Sequence, residues 1–150
     1  MATYQAHVLE GASAVELVVA LYDGIIRFLR GAIAAVEQGD TEGRRAAVKR
    51  ALDIILHLQA RLRMDVGGRP AEALSEFYAS IFAQILQASQ SASRARFEHA
   101  IECVRTVRDA WREVAKDRDA NPESARVIEF RGQGTFSIAE DERGSTSWTA

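Results

Sequence analysis

Residues 12–36 read Ala-Ser-Ala-Val-Glu-Leu-Val-Val-Ala-Leu-Tyr-Asp-Gly-Ile-Ile-Arg-Phe-Leu-Arg-Gly-Ala-Ile-Ala-Ala-Val, and this stretch decides the fold. Ser13 followed three residues later by Glu16 forms a capping box, the signature of a helix start. Stepped at about 100° per residue, the large apolar side chains cover roughly 200° of the helix, from Phe28 to Val19. A helix on the surface of a small globular protein needs an apolar arc of only somewhat more than ~100°. Leu21, Ile25, Leu29, Ala32 and Val36, in the middle of the arc, suffice for a core. Val19, Ile26 and Ile33 recur every seven residues as a second row at one edge. Beside the other edge, Ala20, Gly24, Gly31 and Ala35 form a stripe of small residues. Glycine within a helix costs about 1 kcal/mol relative to alanine, so two on one stripe imply close packing there. The neighbour is either another helix of the same chain or a different polypeptide docked on this surface.

Outward from this helix, the pattern repeats. Gly39-Asp40-Thr41 makes a tight connection to a second helix over about 41–64, whose apolar set (Val48, Ala51, Leu52, Ile54, Ile55, Leu56, Leu58, Leu62) again spans about 200°. Gly67-Gly68-Arg69-Pro70 punctuates the chain, and a third helix is expected from about 71 to 89. Leu74, Phe77, Tyr78, Ile81, Phe82, Ile85 and Leu86 take up about half of it, and Ser, Ala and Gln supply most of the rest. Solvated helix faces usually carry more charge, so this helix is either the most buried or covered by a partner. A fourth helix, about 93–119, has a narrower stripe (Phe97, Ile101, Val104, Val107, Trp111, Val114) and a charged opposite face.

Four helices with short connections predict an all-α fold, an antiparallel up-down four-helix bundle. It occupies 1–119, and the segment before Ala12 is a short N-terminal arm carrying Tyr4. Residues 120–150 form a flexible tail that begins at Asn121-Pro122 and is expected to be mostly disordered. Its alternating segments Val127–Phe130 and Thr135–Ile138 flank Arg131-Gly132-Gln133-Gly134 in a pattern that can form a hairpin, although an isolated hairpin is marginal in water.

Composition narrows the function. The chain has 150 residues, 47% apolar and 27% charged, with a net charge of −2 spread over mixed signs. Such a balance argues against nucleic-acid binding, which normally shows a basic face. No apolar run is long enough for membrane insertion, no secretory signal is visible, and one cysteine, Cys103, fits a reducing compartment; the expected location is the cytoplasm. Cys103, among Ala100, Val104 and Val107, reads as a small buried thiol. His7, His57 and His99 share no metal-ligand spacing, and no phosphate loop, haem or nucleophile motif occurs. Neither enzymatic activity nor a cofactor is expected. Asp23 and Arg27 read as an ordinary i,i+4 pair. His57 lies opposite the apolar face of its helix, the form of a histidine phosphotransfer domain, but Leu58-Gln59-Ala60 lacks the Leu-Lys-Gly that usually follows there.

The order of these features resembles the FliS family of flagellar secretion chaperones. The resemblance covers about Tyr4 to Trp111 and rests on Tyr4, Ala12-Ser13, Glu16-Leu17-Val18, Leu21-Tyr22-Asp23-Gly24, Ala32-Ile33 and Gln38-Gly39-Asp40. It continues through Ala51-Leu52-Asp53-Ile54-Ile55, Gly67-Gly68, Leu74 with Phe77-Tyr78, and Arg108-Asp109-Ala110-Trp111. Ala14 stands where family members usually have Pro. The resemblance implies a chaperone that binds the C-terminal segment of flagellin, prevents premature polymerisation and delivers it to the flagellar type III export gate. Long apolar grooves between helices suit an amphipathic, disordered client. The edge rows then mark the expected flagellin contacts: Val19, Tyr22, Ile26 and Ile33 on the first helix, Ile54 and Leu58 on the second, Phe77, Tyr78 and Phe82 on the third. Tyr4 would belong to an arm that covers the groove or meets the export gate. A monomer or weak dimer is expected. The alternative is a homo-oligomeric helical structural protein whose extra rows bury against a second copy.

Overall fold

A glycine and an aspartate set the first reversal of the chain. The computed structural model describes residues 14–120 apart from 63 and 66, together with 128–131, 135–138 and 148–149. Its helices are α1 (Ala14–Gln38), α2 (Thr41–Ala60), α3 (Gly68–Gln90) and α4 (Arg94–Ala120). Gly39, at φ +67°, ends α1 in the left-handed region. That conformation lets the Asp40 N–H donate to the Ala35 carbonyl at 2.8 Å and the Gly39 N–H to that of Val36 at 3.1 Å, a Schellman closure. Asp40 then caps α2, its carboxylate accepting from the Gly43 N–H at 2.9 Å. A Cβ on residue 43 would sit 2.2 Å from that carboxylate, so a larger residue there requires the Asp40 side chain to turn.

The reversal from α3 to α4 repeats the scheme with alanine in the strained position. Ala92 adopts φ 48°, while the Ser93 and Ala92 N–H groups donate to Ala88 and Ser89 carbonyls at 3.0 and 3.1 Å. Ser93 caps α4 by accepting from the Arg96 N–H.

Two boundaries differ from those expected. α2 ends at Ala60 rather than near Met64, and α3 begins at Gly68 rather than Ala71. Pro70 stops a helix only from its interior; in the first turn its missing N–H has no carbonyl to bond, so the ring is accommodated.

Each helix packs on its neighbours in chain order and α4 closes back on α1, giving the expected antiparallel bundle. Val15, Val18, Tyr22, Ile25, Leu29, Ile55, Ile81, Ile85, Phe97 and Val104 fill the centre. Leu21 and Val36, expected in the centre, are only half-buried, because the true midline of α1 runs through Val18, Tyr22, Ile25 and Leu29. The small stripe faces α2: a Cβ on residue 24 would meet Ile54 Cδ1 at 3.1 Å, and one on residue 31 the Ala47 Cβ at 3.8 Å. The neighbour read from the stripe is therefore a helix of the same chain. Cys103 is half-buried rather than buried, with Sγ 3.6 Å from His99 Nε2 on the next turn.

Three short strands follow the bundle: β1 (Ile128–Arg131), β2 (Thr135–Ile138) and β3 (Trp148–Thr149). They pair antiparallel in the order β1-β2-β3, so the hairpin pattern corresponds to the β1/β2 pair. The N-terminal arm with Tyr4, the Ser13 cap and the remaining tail lie outside the described residues.

The glycine logic predicts three substitutions, two stabilising and one destabilising. Gly31→Ala adds a methyl at ordinary contact distance and should stabilise the bundle by about 1 kcal/mol through helix propensity. Ala92→Gly should also stabilise, by about 1 kcal/mol, by removing the left-handed cost of an L-residue. Gly24→Leu, by contrast, should cost about 1–3 kcal/mol through overpacking against Ile54. Urea denaturation of the three variants checks all of these.

Candidate functional site: the helix seams

The α1/α2 seam is closed. The small stripe brings the backbones together, and Phe28 is covered by the guanidinium groups of Arg27 and Arg50, 5.3 and 5.7 Å from its ring centre.

The α1/α4 seam is stapled by charge. Asp23 accepts from Arg108 at 2.8 Å and lies 3.7 Å from Arg112, and Glu37 pairs with Arg94. The spacing from 23 to 37 on α1 equals that from 94 to 108 on α4, so both pairs report one antiparallel register. The expected Asp23–Arg27 pair is thus replaced by contacts to α4; Arg27 lies over Phe28 instead. Ile33 and Ile101 lie in an open groove of about 450 Å³ on this seam, walled by Arg30, Glu37, Arg94 and Glu102.

Across the bundle, α1, α3 and α4 meet in a buried polar knot. The hydroxyls of Tyr22 and Tyr78 are 2.8 Å apart, and Tyr22 also hydrogen-bonds the Trp111 indole. Tyr22 is fully buried, and Tyr78 and Trp111 are 3% exposed. Phe77 stacks on Tyr22 at 6.5 Å between ring centres, with planes 15° apart. Burial pushes the Tyr22 hydroxyl up to about 12, against the lowering effect of its bonds to Tyr78 and Trp111. Burial also raises Tyr78 well above the ordinary tyrosine value, helped by the neighbouring Tyr22.

The α2/α3 seam leaves large apolar side chains exposed. A Gln59–Ser75 hydrogen bond of 3.4 Å crosses it, and the antiparallel register it sets places Leu52 level with Phe82. Leu52 and Phe82 are half-buried, whereas Leu56 and Leu86 are 51% and 38% exposed. Beside them the outward face of α3 carries Ala79, Ser80, Ala83 and Gln87, all exposed, and no charged residue occurs from 77 to 93. The sparse charge of this helix therefore reflects an uncharged surface and not complete burial.

Against this frame, the nine expected contact residues divide. Tyr22, Ile26, Leu58 and Tyr78 are buried in the core; Val19, Ile33, Ile54, Phe77 and Phe82 are half-buried and reach the surface. They do not converge on one groove: Ile33 borders the α1/α4 seam, Ile54 meets Gly24 on α1, and Phe82 lies on the α2/α3 seam. Leu52, Leu56 and Leu86 were not among them. The signal for these three lay in the width of the α2 apolar arc combined with the missing charges on α3.

No group of three or more metal-ligating side chains occurs among the described residues, and no described helix is long and apolar enough to cross a membrane. The molecule is an antiparallel helical bundle that leaves large apolar side chains exposed along one seam. Residues 1–118 match the model of the family "Flagellar protein FliS", and the chain belongs to that family. It is 32% identical over 106 residues to the flagellar secretion chaperone FliS of Vibrio cholerae, covering 71% of this chain and 78% of that one. It is 32% identical over 99 residues to the Campylobacter jejuni FliS, covering 66% and 77%, and 30% identical over 105 residues to that of Salmonella typhimurium, covering 69% and 78%. Membership of a chaperone family agrees with the expectation that the chain is not an enzyme.

The knot makes a pH prediction. Below the ordinary tyrosine value of 10.0 both hydroxyls are protonated in folded and unfolded chains alike, and their contribution is fully present. Above it the unfolded tyrosines ionise while the folded ones hold their protons. Stability should therefore fall from about pH 10 to about pH 12, by about 1.4 kcal/mol per pH unit for each tyrosine. Tyr22→Phe should flatten that fall and, at neutral pH, cost about 1–3 kcal/mol by stranding the Tyr78 and Trp111 partners. Denaturant melts of wild type and variant at several pH values test both.

Proposed function

We propose that this protein is a cytoplasmic export chaperone that holds the C-terminal segment of flagellin, prevents its premature polymerisation and hands it to the flagellar type III export apparatus. Membership of the FliS family supports the export role. The observation that carries the client reading is the α2/α3 seam, where exposed Leu56 and Leu86 flank half-buried Leu52 and Phe82 beside an uncharged helix face. An amphipathic segment ordered on binding lays its apolar side along such a seam, using many dispersed contacts instead of one deep pocket.

In this reading Phe82, Leu52, Leu56 and Leu86 meet the client directly, with Val19, Ile33, Ile54 and Phe77 extending the contact around the bundle. Buried Tyr22, Ile26, Leu58 and Tyr78 hold the helices that present those side chains. Tyr4 and the arm remain assigned to the groove edge or the export gate.

Titration calorimetry against a peptide of the flagellin C-terminal segment should give one-to-one binding with a negative heat-capacity change, the mark of apolar burial. Leu56→Glu, on an exposed position, should leave the melting temperature nearly unchanged and weaken binding tenfold or more, about 1.4 kcal/mol. A tight dimer by sedimentation that persists with the peptide present would instead support a self-associating structural protein.

A further inference from the structure

The groove between α1 and α4 lies on the side of the bundle opposite the α2/α3 seam, because each helix packs on its neighbours in chain order and α4 closes on α1. Its floor is apolar, with Ile33 and Ala34 from α1 and Ile101 from α4, and its volume is about 450 Å³. The pairs Asp23–Arg108 and Glu37–Arg94 set a register that places Arg30 level with Ile101 and Ile33 level with Glu98. Charge along the rim is sorted by end. At one end Arg105 pairs with Glu102 at 3.1 Å, and Arg30 pairs with no carboxylate among the described residues, which leaves one positive charge in excess. At the other, Arg94 is shared between Glu37 and Glu98, 2.8 Å from the latter, which leaves one negative charge in excess. From Arg30 to Glu37 is two helical turns, about 10 Å.

We propose that this groove docks a short amphipathic helix of a second polypeptide, distinct from the flagellin client. An apolar strip between a cationic and an anionic end matches a helix with an acidic side chain at i, apolar ones at i+3 and i+4, and a basic one at i+7. Those four positions fall on one face of a helix. The apolar pair covers Ile33 and Ile101, the acidic side chain meets Arg30, and the basic one meets Glu37 and Glu98. Burial of the apolar pair supplies the affinity. The exposed charges add little energy each and fix the direction in which the helix lies. A helix that carries its acid before its base runs parallel to α1. One with like charges at both ends meets repulsion at one of them, so the rim selects among amphipathic helices. Of the residues assigned to the client only Ile33 is shared, and the α2/α3 seam stays free, so the bundle holds a client on one side and a second protein on the other.

The test uses the full chain and a capped, alanine-based peptide of about 16 residues, long enough for a helix to form. The peptide carries glutamate at its fifth position, leucine at its eighth and ninth, and lysine at its twelfth. Amide NMR shifts locate binding, and a nitroxide at either peptide end reads direction. The expected result is saturable binding with shifts confined to α1 and α4. The N-terminal label should broaden signals near Arg30 and Arg105, and the C-terminal label those near Glu37 and Arg94. Arg30→Glu alone should weaken binding about fivefold. Adding Glu98→Lys exchanges the two ends and should restore affinity with the labels reversed. Both positions are exposed, so the melting temperature should stay nearly unchanged. No saturable shift in α1 and α4 overturns the proposal, as does a double variant that neither recovers affinity nor reverses the labels. Displacement of the probe by the flagellin C-terminal peptide also overturns it, since the groove would then belong to the client; joint binding of the two supports it. A flagellin peptide that binds nowhere while the probe still fills the groove sinks the client reading alone.

Discussion

Two tyrosine hydroxyls and an indole N–H, all out of reach of water, hold the bundle in one arrangement. Tyr22 on α1 bonds Tyr78 across the core and Trp111 on α4. Apolar side chains tolerate sliding, because one close-packed contact replaces another at little cost. Hydrogen bonds in a dry interior do not, since a shift by one turn leaves donors without acceptors. The knot thus fixes the rotation of α1 and the relative heights of three helices, and the Asp23–Arg108 pair one residue along α1 fixes the same height from the rim. Both features come from the segments Leu21-Tyr22-Asp23-Gly24 and Arg108-Asp109-Ala110-Trp111, which are far apart in sequence and adjoin in space.

The helical architecture was legible in the chain because its signals are local. Period and punctuation marked four helices, and Gly39-Asp40-Thr41 and Gly67-Gly68-Arg69-Pro70 marked two of the connections. What misled was any inference that depended on which way a helix is turned. The wide apolar arc of α1 was read as core plus a spare client surface. In the structure the arc serves three neighbours at once: α2 through the glycines, and α3 and α4 through Tyr22. Asp23 had an available partner four residues away and a better one on α4, a choice that periodicity does not contain. The tyrosines looked like edge residues because they carry hydroxyls; each in fact satisfies the other inside.

The candidate surface was legible as a quantity and not as a location. An apolar excess on the first three helices and missing charge on the third both indicated unspent binding surface. Which seam exposes apolar side chains follows from tertiary facts: arginines cover Phe28, ion pairs flank the groove between α1 and α4, and a Gln59–Ser75 bond spans α2 and α3. Among the described residues, Leu56 and Leu86 keep 51% and 38% of their surface exposed on that side.

The twin reversals at Gly39-Asp40 and Ala92-Ser93 also bear on how the molecule assembles. Each joins two helices by a helix stop and a helix start within a few residues, whereas 61–67 between α2 and α3 is a longer link. The chain is in effect two αα-hairpins in series, each able to close on contacts between residues near in sequence. Contacts of that kind close small loops at little entropic cost, and proteins dominated by them fold in microseconds to milliseconds. The slower event is then the docking of one hairpin on the other. That step buries Tyr22 against Tyr78 and Trp111, so the apolar seams of each hairpin are briefly open before the polar knot closes.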